Sequence, residues 1–171
     1  MPNSIRLLDV GCGTGRNLPH FLRGEFRIFA VDLDADALDT ARSLHVRPGI
    51  GTGPFFAAAN TGKLPFRGGV FATALCFDLL HWARDSAEFE TWWREIWRTL
   101  KPGGILCARF RCRSESDSPA GKKIGEKWFL SDQTAVAMLV DQLRGEWVEP
   151  WVETSIKGGG RQGNAIVRRK N

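Results

Sequence analysis

The segment from Leu7 to Asn17 constrains the fold of this chain more than any other stretch. It begins as an apolar run and continues through three alternate glycines, Gly11, Gly13 and Gly15. A run of β-forming residues that stops at glycine is typical of a buried strand. Asn17, with a proline two residues later, predicts a helix start with Asn17 as its N-cap. A strand, a glycine turn and a helix in succession predict a nucleotide or nucleoside site at the mouth of a parallel sheet.

The charge beside this turn argues against a pyrophosphate ligand. Asp9 lies two residues before the first glycine, and the spacing is G-x-G-x-G rather than the G-x-G-x-x-G of dinucleotide-binding proteins. A carboxylate at that place would repel a pyrophosphate and attract a cation. S-adenosylmethionine, a nucleoside that carries a sulfonium and an ammonium group, fits this charge. The alternative is an ordinary strand-to-helix turn without a ligand.

The segment from Leu7 to Gly15 resembles the first motif of the class I S-adenosylmethionine-dependent methyltransferases. A second similarity is the string Leu100-Lys101-Pro102-Gly103-Gly104, which in that family reverses the chain before a strand. A third lies at 60–66, where the family often reads D-A-x-x-L-P-F, although Asn60 stands here in place of the acid. The resemblance implies a single methyltransferase domain over residues 1–171. The C-terminal layout is distantly similar to that of tellurite- and thiopurine-type small-molecule methyltransferases.

The apolar pattern and the resemblance together predict an α/β, Rossmann-like fold. Seven strands are expected, in a mostly parallel sheet with an antiparallel C-terminal hairpin and with helices on both faces. The hairpin is predicted from strands over 147–156 and 164–168, joined by the glycine-rich connector 158–163. The helix predicted over 83–100 has apolar residues at steps of three and four, which indicates a face packed on the sheet.

The resemblance implies a set of cofactor-binding residues at the carboxyl ends of the strands. The acid and glycines of the first motif are expected to hold the methionine end, and Asp32 the ribose hydroxyls. Leu33 is expected to lie against the adenine. The full set is Asp9, Gly11, Gly13, Asn17, Asp32, Leu33, Asn60, Thr61, Cys76 and Phe77. Two alternatives stay open: Asp32 caps the next helix, a task that suits Asp34 better, and Asn60 only forms a turn.

Asp78 and His81 follow the predicted fourth strand and are the candidate catalytic residues facing the methyl acceptor. A general base is optional in this reaction, because the need for one depends on the pKa of the acceptor. The alternative for His81 is a packing role in the wall of the site. Arg109, Arg111 and Arg113 alternate along the fifth strand, where they form either a cationic rim for an anionic acceptor or solvated charges at a strand end.

Composition limits the other functions. The four cysteines form no C-x-x-C pair and the three histidines are scattered, so neither a metal site nor a disulfide framework is expected. No apolar run reaches the length of a membrane span and no signal peptide precedes the first strand, so a cytoplasmic protein without a membrane partner is expected. The net charge of +5 is mildly basic, and nucleic acid is not an expected partner on that ground alone.

The expected function is methyl transfer from S-adenosylmethionine to a small-molecule acceptor, with S-adenosylhomocysteine as product. Two alternatives belong to other classes: a non-catalytic S-adenosylmethionine-binding module or subunit of a larger complex, and an RNA methyltransferase. Little sequence precedes Ser4. The acceptor pocket is therefore expected to be shallow, or completed by the polar segment Ser114–Lys127, by the acceptor itself, or by a second copy or partner subunit.

Overall fold

The computed structural model describes residues 5–24, 26–46, 53–113, 129–157 and 160–171. Within these ranges the strands are β1 Ile5–Val10, β2 Phe26–Asp32, β3 Phe55–Ala58, β4 Phe71–Phe77, β5 Leu100–Cys112, β6 Gly145–Trp147, β7 Val152–Ser155 and β8 Arg161–Arg169. The helices are α1 Leu18–Leu22, α2 Ala35–His45, α3 Ser86–Thr99 and α4 Gln133–Gln142, with a 3-10 turn at Leu80–Trp82. None of these helices is long and apolar enough to cross a bilayer.

All the strands belong to one sheet, whose order is β3-β2-β1-β4-β5-β8-β6 with β7 also paired to β8. The first five strands pair in parallel, whereas β8 runs antiparallel to β5, β6 and β7. This confirms the predicted mostly parallel sheet with an antiparallel C-terminal hairpin. The chain moves outward from β1 to β3 on one side and from β4 to β5 on the other. Ligands of open α/β sheets bind outside the carboxyl ends of the strands at such a reversal.

Alternate residues of the strands pack under different helices. Leu8 and Val10 lie in the larger core with the buried residues of α3 and α4, whereas Leu7 lies in the smaller core with those of α1 and α2. Side chains that alternate along a strand point to opposite faces of the sheet. The helices therefore cover both faces, as predicted, and Asp9 points to the same side as Leu7.

The two predicted helix caps have different outcomes. The Asp34 carboxylate accepts hydrogen bonds from the backbone N–H groups of Asp36 and Ala37 at the start of α2, which confirms Asp34 as its cap. Asn17 occupies the predicted N-cap position before α1, with the proline in the first turn, but its side chain makes no capping bond. Its backbone is already helical, with φ −87° and ψ −20°. A capping side chain needs an extended backbone to reach the N–H groups that follow.

The sheet has eight strands in the described ranges instead of seven, because the segment predicted as one strand over 147–156 is interrupted. Trp147 pairs with Val167 and Val152 pairs with Asn164, so four residues of this edge stand opposite two of β8. The interruption contains Pro150, which has no N–H to donate. Of the predicted connector, Gly158 and Gly159 lie outside the described residues and Gly163 lies within β8.

Gly163 gives a direct test of this edge. A Cβ atom built on Gly163 would lie 2.2 Å from Cζ2 of Trp151, whose ring is 5.9 Å from that of Phe110 in the core. We expect Gly163→Ala to lower the free energy of unfolding by about 1–3 kcal/mol through overpacking, measured by urea denaturation. Gly53→Ala is the control, since its nearest neighbour would be 3.8 Å away. An unchanged midpoint for Gly163→Ala would contradict the packing of Trp151.

Candidate active site

The glycine loop after β1 is tied to β2 and bends back over the ends of both strands. The backbone N–H groups of Gly11 and Cys12 donate to the carbonyl of Val31, at 2.8 Å and 3.1 Å. Gly11 and Gly13 have φ angles of +71° and +53°, which side-chain-bearing residues rarely adopt. A Cβ on Gly11 would meet the Leu79 side chain at 2.9 Å, whereas among the described residues no atom beyond the chain neighbours of Gly13 lies within 4 Å of a Cβ built there. The space in front of Gly13 is therefore open.

The carboxyl group of Asp9 is buried beside this loop without a full set of partners. Asp9 is 1% exposed, and its Oδ2 atom has no hydrogen-bond partner among the residues that the structure describes. The pKa of Asp9 is raised to about 7, mostly by burial and then by the nearby Asp32 carboxylate, while Arg16 acts in the opposite direction. A buried carboxyl with an unused oxygen costs free energy unless a cation or donor reaches it. The arrangement fits a positively charged ligand group.

The Asp32 carboxylate joins the end of β2 to the glycine loop. Its Oδ2 accepts a hydrogen bond of 2.7 Å from the Gly13 N–H, and its Oδ1 accepts one of 3.0 Å from the Asp34 N–H. The helix cap is Asp34, so the alternative that Asp32 caps α2 is wrong. Leu33, the next residue, is 73% exposed, which leaves a large apolar side chain free to cover an apolar ring. The Asp32 carboxylate is close enough to Asp9 to contribute to the raised pKa of Asp9.

The remaining residues expected at the cofactor differ in what they can offer. The Asn60 side-chain oxygen accepts a 2.7 Å bond from the Gly62 N–H, so Asn60 does form the turn left open as an alternative. The amide NH2 group of Asn60 can donate a hydrogen bond to a ligand but cannot accept one. Cys76 is fully buried in the larger core, so its side chain is not open to a ligand. Thr61, Phe77 and Asn17 are half-buried near the same sheet edge.

Asp78 lies at the end of β4 and gathers side chains from three other elements. Its backbone has φ +60°, and its N–H donates to the Arg109 carbonyl at 2.7 Å. Its carboxylate pairs with Arg16 and accepts bonds of 2.8 Å from Arg109 Nη2 and of 2.8 Å from Gln162 Nε2. Partial burial raises the pKa of Asp78, but hydrogen bonding and charge from Arg109, with the charge of Arg16, outweigh burial and hold it below its ordinary value. A carboxylate so committed is a poor proton acceptor, and its geometry does not favour the expected catalytic role.

His81 lies in the wall of the site. It is 5% exposed, its Nδ1 accepts a 3.3 Å bond from the Arg111 N–H, and its carbonyl accepts a 2.9 Å bond from the Phe129 N–H. Burial lowers the pKa of His81 to about 4, a shift that Asp78 opposes and Arg111 adds to. The imidazole is therefore neutral and weakly basic at pH 7. This geometry fits the packing alternative better than proton transfer.

Sequence reasoning did not single out two members of the Asp78 cluster, Arg16 and Gln162. They reach Asp78 across 62 and 84 residues, and only the position of Arg16 directly after the glycine loop hinted at the site. Of the alternating arginines, Arg109 and Arg111 share one side of β5 with the buried Phe110 between them, and Arg113 follows the end of the strand. Arg109 and Arg113 form ion pairs with Asp78 and Asp132.

Two further predictions concern the polar segment Ser114–Lys127 and metal binding. The segment Ser114–Lys127, predicted to lie over the site, is outside the described residues. Within the part of the chain that the structure describes, no three His, Cys, Asp or Glu side chains are grouped so that they could hold a metal ion.

Comparison with known proteins points to one family. The methyltransferase domain family matches residues 8–108. The uncharacterized methyltransferase YodH of Bacillus subtilis (strain 168) is 28% identical over 117 residues, which are 68% of this chain and 48% of that protein. The chain thus spans about half the length of the curated relatives it matches.

Solved structures share the fold at low sequence identity. The [4+2]-cyclase SpnF superposes with a TM-score of 0.83 at 18% identity, over 98% of this chain and 76% of that one. The 1,6-didemethyltoxoflavin-N1-methyltransferase of Burkholderia thailandensis, with bound 1,6-didemethyltoxoflavin and S-adenosylhomocysteine, gives 0.77 at 19% identity, over 99% and 73%. Because the family match extends over more than half of the chain, this chain belongs to the methyltransferase domain family, the class I methyltransferases that use S-adenosylmethionine as methyl donor.

Proposed function

We propose that this chain binds S-adenosylmethionine across the carboxyl ends of β1, β2 and β4 and transfers its methyl group to a small molecule. The observation that carries the proposal is the buried Asp9 carboxyl beside a glycine loop with open space at Gly13; in the described part of the chain, its Oδ2 has no hydrogen-bond partner. Few ligands other than a cationic nucleoside would suit a negatively charged site, lined by glycine, at the carboxyl ends of these strands. The family match supplies the chemistry.

The order of the strands orients the ligand in this proposal. Asp32 and Leu33, at the end of β2, receive the ribose and the adenine, with Asn60 and Thr61 beyond them at the end of β3. Asp9, Gly11 and Gly13 receive the methionine end. The sulfonium then lies on the β4 side of the glycine loop, and the acceptor lies beyond it, outside β4 and β5.

Methyl transfer of this kind is a direct displacement. A lone pair of the acceptor forms the new bond to the methyl carbon, the carbon–sulfur bond breaks, and its electron pair stays on sulfur as S-adenosylhomocysteine forms. Charge disappears from the sulfonium during the step, so alignment of the acceptor contributes much of the rate. His81 and Asp78 are weak proton acceptors here, which favours an acceptor that is already nucleophilic or that gives its proton to water.

A small-molecule acceptor is supported by the comparison with the Burkholderia thailandensis enzyme, whose structure contains 1,6-didemethyltoxoflavin. In this proposal the acceptor side includes Arg109 and Gln162, which both donate to Asp78, and the ring of Phe77, which lies 5.0 Å from the Arg109 guanidinium carbon. Aromatic surface with a few fixed polar groups is typical of a small-molecule pocket.

Asp32→Ala tests the cofactor site. We expect it to weaken the binding of S-adenosylmethionine and S-adenosylhomocysteine by roughly 1–3 kcal/mol, because ligand hydroxyls lose a charged acceptor. Isothermal titration calorimetry measures this. Asp34→Ala is the matched control, since it removes a carboxylate two residues away whose hydrogen bonds cap α2. Equal affinities of Asp32→Ala and the unsubstituted protein would remove Asp32 from the site, and no binding of either ligand by the unsubstituted protein would end the proposal.

The Asp9 carboxyl makes cofactor binding depend on pH. Its pKa is about 7 in the ligand-free protein, and a bound cation favours the ionised form. Below that pKa the ligand must displace a proton, so the affinity for S-adenosylmethionine falls by up to about tenfold per pH unit as the pH drops from about 7. Titrations between about pH 7.5 and about pH 5.5 measure the slope. Asp9→Asn is expected to bind weakly with a flat profile, and a slope retained in that variant would assign the proton elsewhere.

The ionised form of Asp9 lowers the stability of the ligand-free protein. The folded-state pKa of Asp9 lies above its ordinary value of 3.8, so the stability contributed by its protonated form is lost as the pH rises through about 7. We expect Asp9→Asn to raise the free energy of unfolding at pH 8 by about 1–3 kcal/mol, and by less at pH 5, in urea denaturation. The exposed Asp39 supplies the control variant Asp39→Asn. A loss of stability in Asp9→Asn at pH 8 would contradict the account.

A further inference from the structure

The ion cluster at the end of β4 lies outside the residues assigned to holding the nucleoside. Asp78 is a non-glycine residue with φ +60°, yet its carboxylate, which is 28% exposed, is shared by Arg16, Arg109 and Gln162. Strained backbone of this kind persists where the surrounding contacts over-determine it, and it concentrates at functional sites. The cluster joins the glycine-loop region, β4, β5 and β8 at one edge of the sheet.

Arg16 stands between two sets of carboxylates. It pairs with Asp78, and its charge also acts on Asp9. Its side chain is 65% exposed and so is restrained mainly by that pair. Without Asp78, the guanidinium group would be attracted to Asp9 and Asp32, where the cationic end of the methyl donor is to bind.

We propose that Asp78 is a positioning residue through which the site binds the cationic methyl donor in preference to the product, whose sulfur carries no charge. It holds the Arg16 and Arg109 guanidinium groups away from Asp9, and it neutralises them on the side of the loop where the sulfonium lies. This inference rests on the proposed function, because that function places the sulfonium between the glycine loop and β4.

The discrimination follows from charge. S-adenosylmethionine carries a positive sulfur and S-adenosylhomocysteine does not, while the rest of the two ligands is the same. Two uncompensated guanidinium groups near the sulfur would repel the first ligand and leave the second almost unaffected. The cluster is only partly buried, since the Arg16 side chain is 65% exposed and that of Asp78 28%, so added salt weakens its effect on the ligand.

Asp78→Asn removes the charge with little change of shape, since asparagine also tolerates positive φ. Dissociation constants of S-adenosylmethionine and S-adenosylhomocysteine are measured by calorimetry in about 50 mM salt. We expect the ratio of the two constants, donor over product, to rise about five- to tenfold, and to rise much less in about 0.5 M salt. Glu146→Gln is the control, because the Glu146–Arg168 pair lies at the opposite end of β8. Its ratio should not change.

Arg16→Gln separates charge from folding. Alone, Arg16→Gln should lower the ratio of the donor's dissociation constant to the product's. Combined with Asp78→Asn, it should recover part of the lost preference for the donor, since the two residues are directly coupled. If circular dichroism shows that Asp78→Asn does not fold, the test rests on Arg16→Gln alone. A raised or unchanged ratio of the two dissociation constants in Arg16→Gln then overturns the inference.

The outcomes distinguish the two proposals. If the unsubstituted protein binds neither ligand, the proposed function fails. If it binds both, and Asp78→Asn weakens both equally or neither, the proposed function stands and the inference about Asp78 is overturned.

Discussion

Burial of the Asp9 carboxyl beside the Asp32 carboxylate is the constraint on which the rest of the site depends. Two acids share one edge of the sheet, and one oxygen of Asp9 accepts no hydrogen bond from any residue that the structure describes. A ligand-free protein gains nothing from this arrangement, because a buried carboxyl is costly and a second carboxylate nearby adds to the cost. Natural sequences break local rules of this kind mainly at functional sites. When a cation binds, its attraction to the two carboxyl groups offsets this cost and contributes to affinity.

The sheet explains why these groups meet. Parallel strands that leave β1 in both directions bring the ends of β1, β2 and β4 together, with Asp9, Asp32 and Asp78 at those ends. The helices on both faces bury the apolar residues that hold the strand ends in register. The acids therefore sit on a rigid support, as a site that must align a donor and an acceptor requires.

The features that could be predicted from the sequence are those that local chemistry decides. The apolar run and glycines of the first motif, and the Asp34 cap with helix formers after it, need no knowledge of distant residues. Asn17 stands at the predicted start of α1 but makes no capping bond, because the chain enters the helix with a helical backbone. The break at 148–151 coincides with Trp151 covering Gly163, and the Asp78 cluster depends on contacts 62 and 84 residues away. Single-residue preferences carry no information on such contacts, so the Asp78 cluster was less predictable than the glycine loop.

The most direct measurement of the central claim is a crystal structure of the protein with S-adenosylhomocysteine. The account predicts the ribose hydroxyls within hydrogen-bond distance of the Asp32 carboxylate and the amino-acid end of the ligand over Gly11 and Gly13, with Asp9 behind them. A ligand bound elsewhere, or a cleft between the two carboxylates filled by the protein's own side chains, would contradict it.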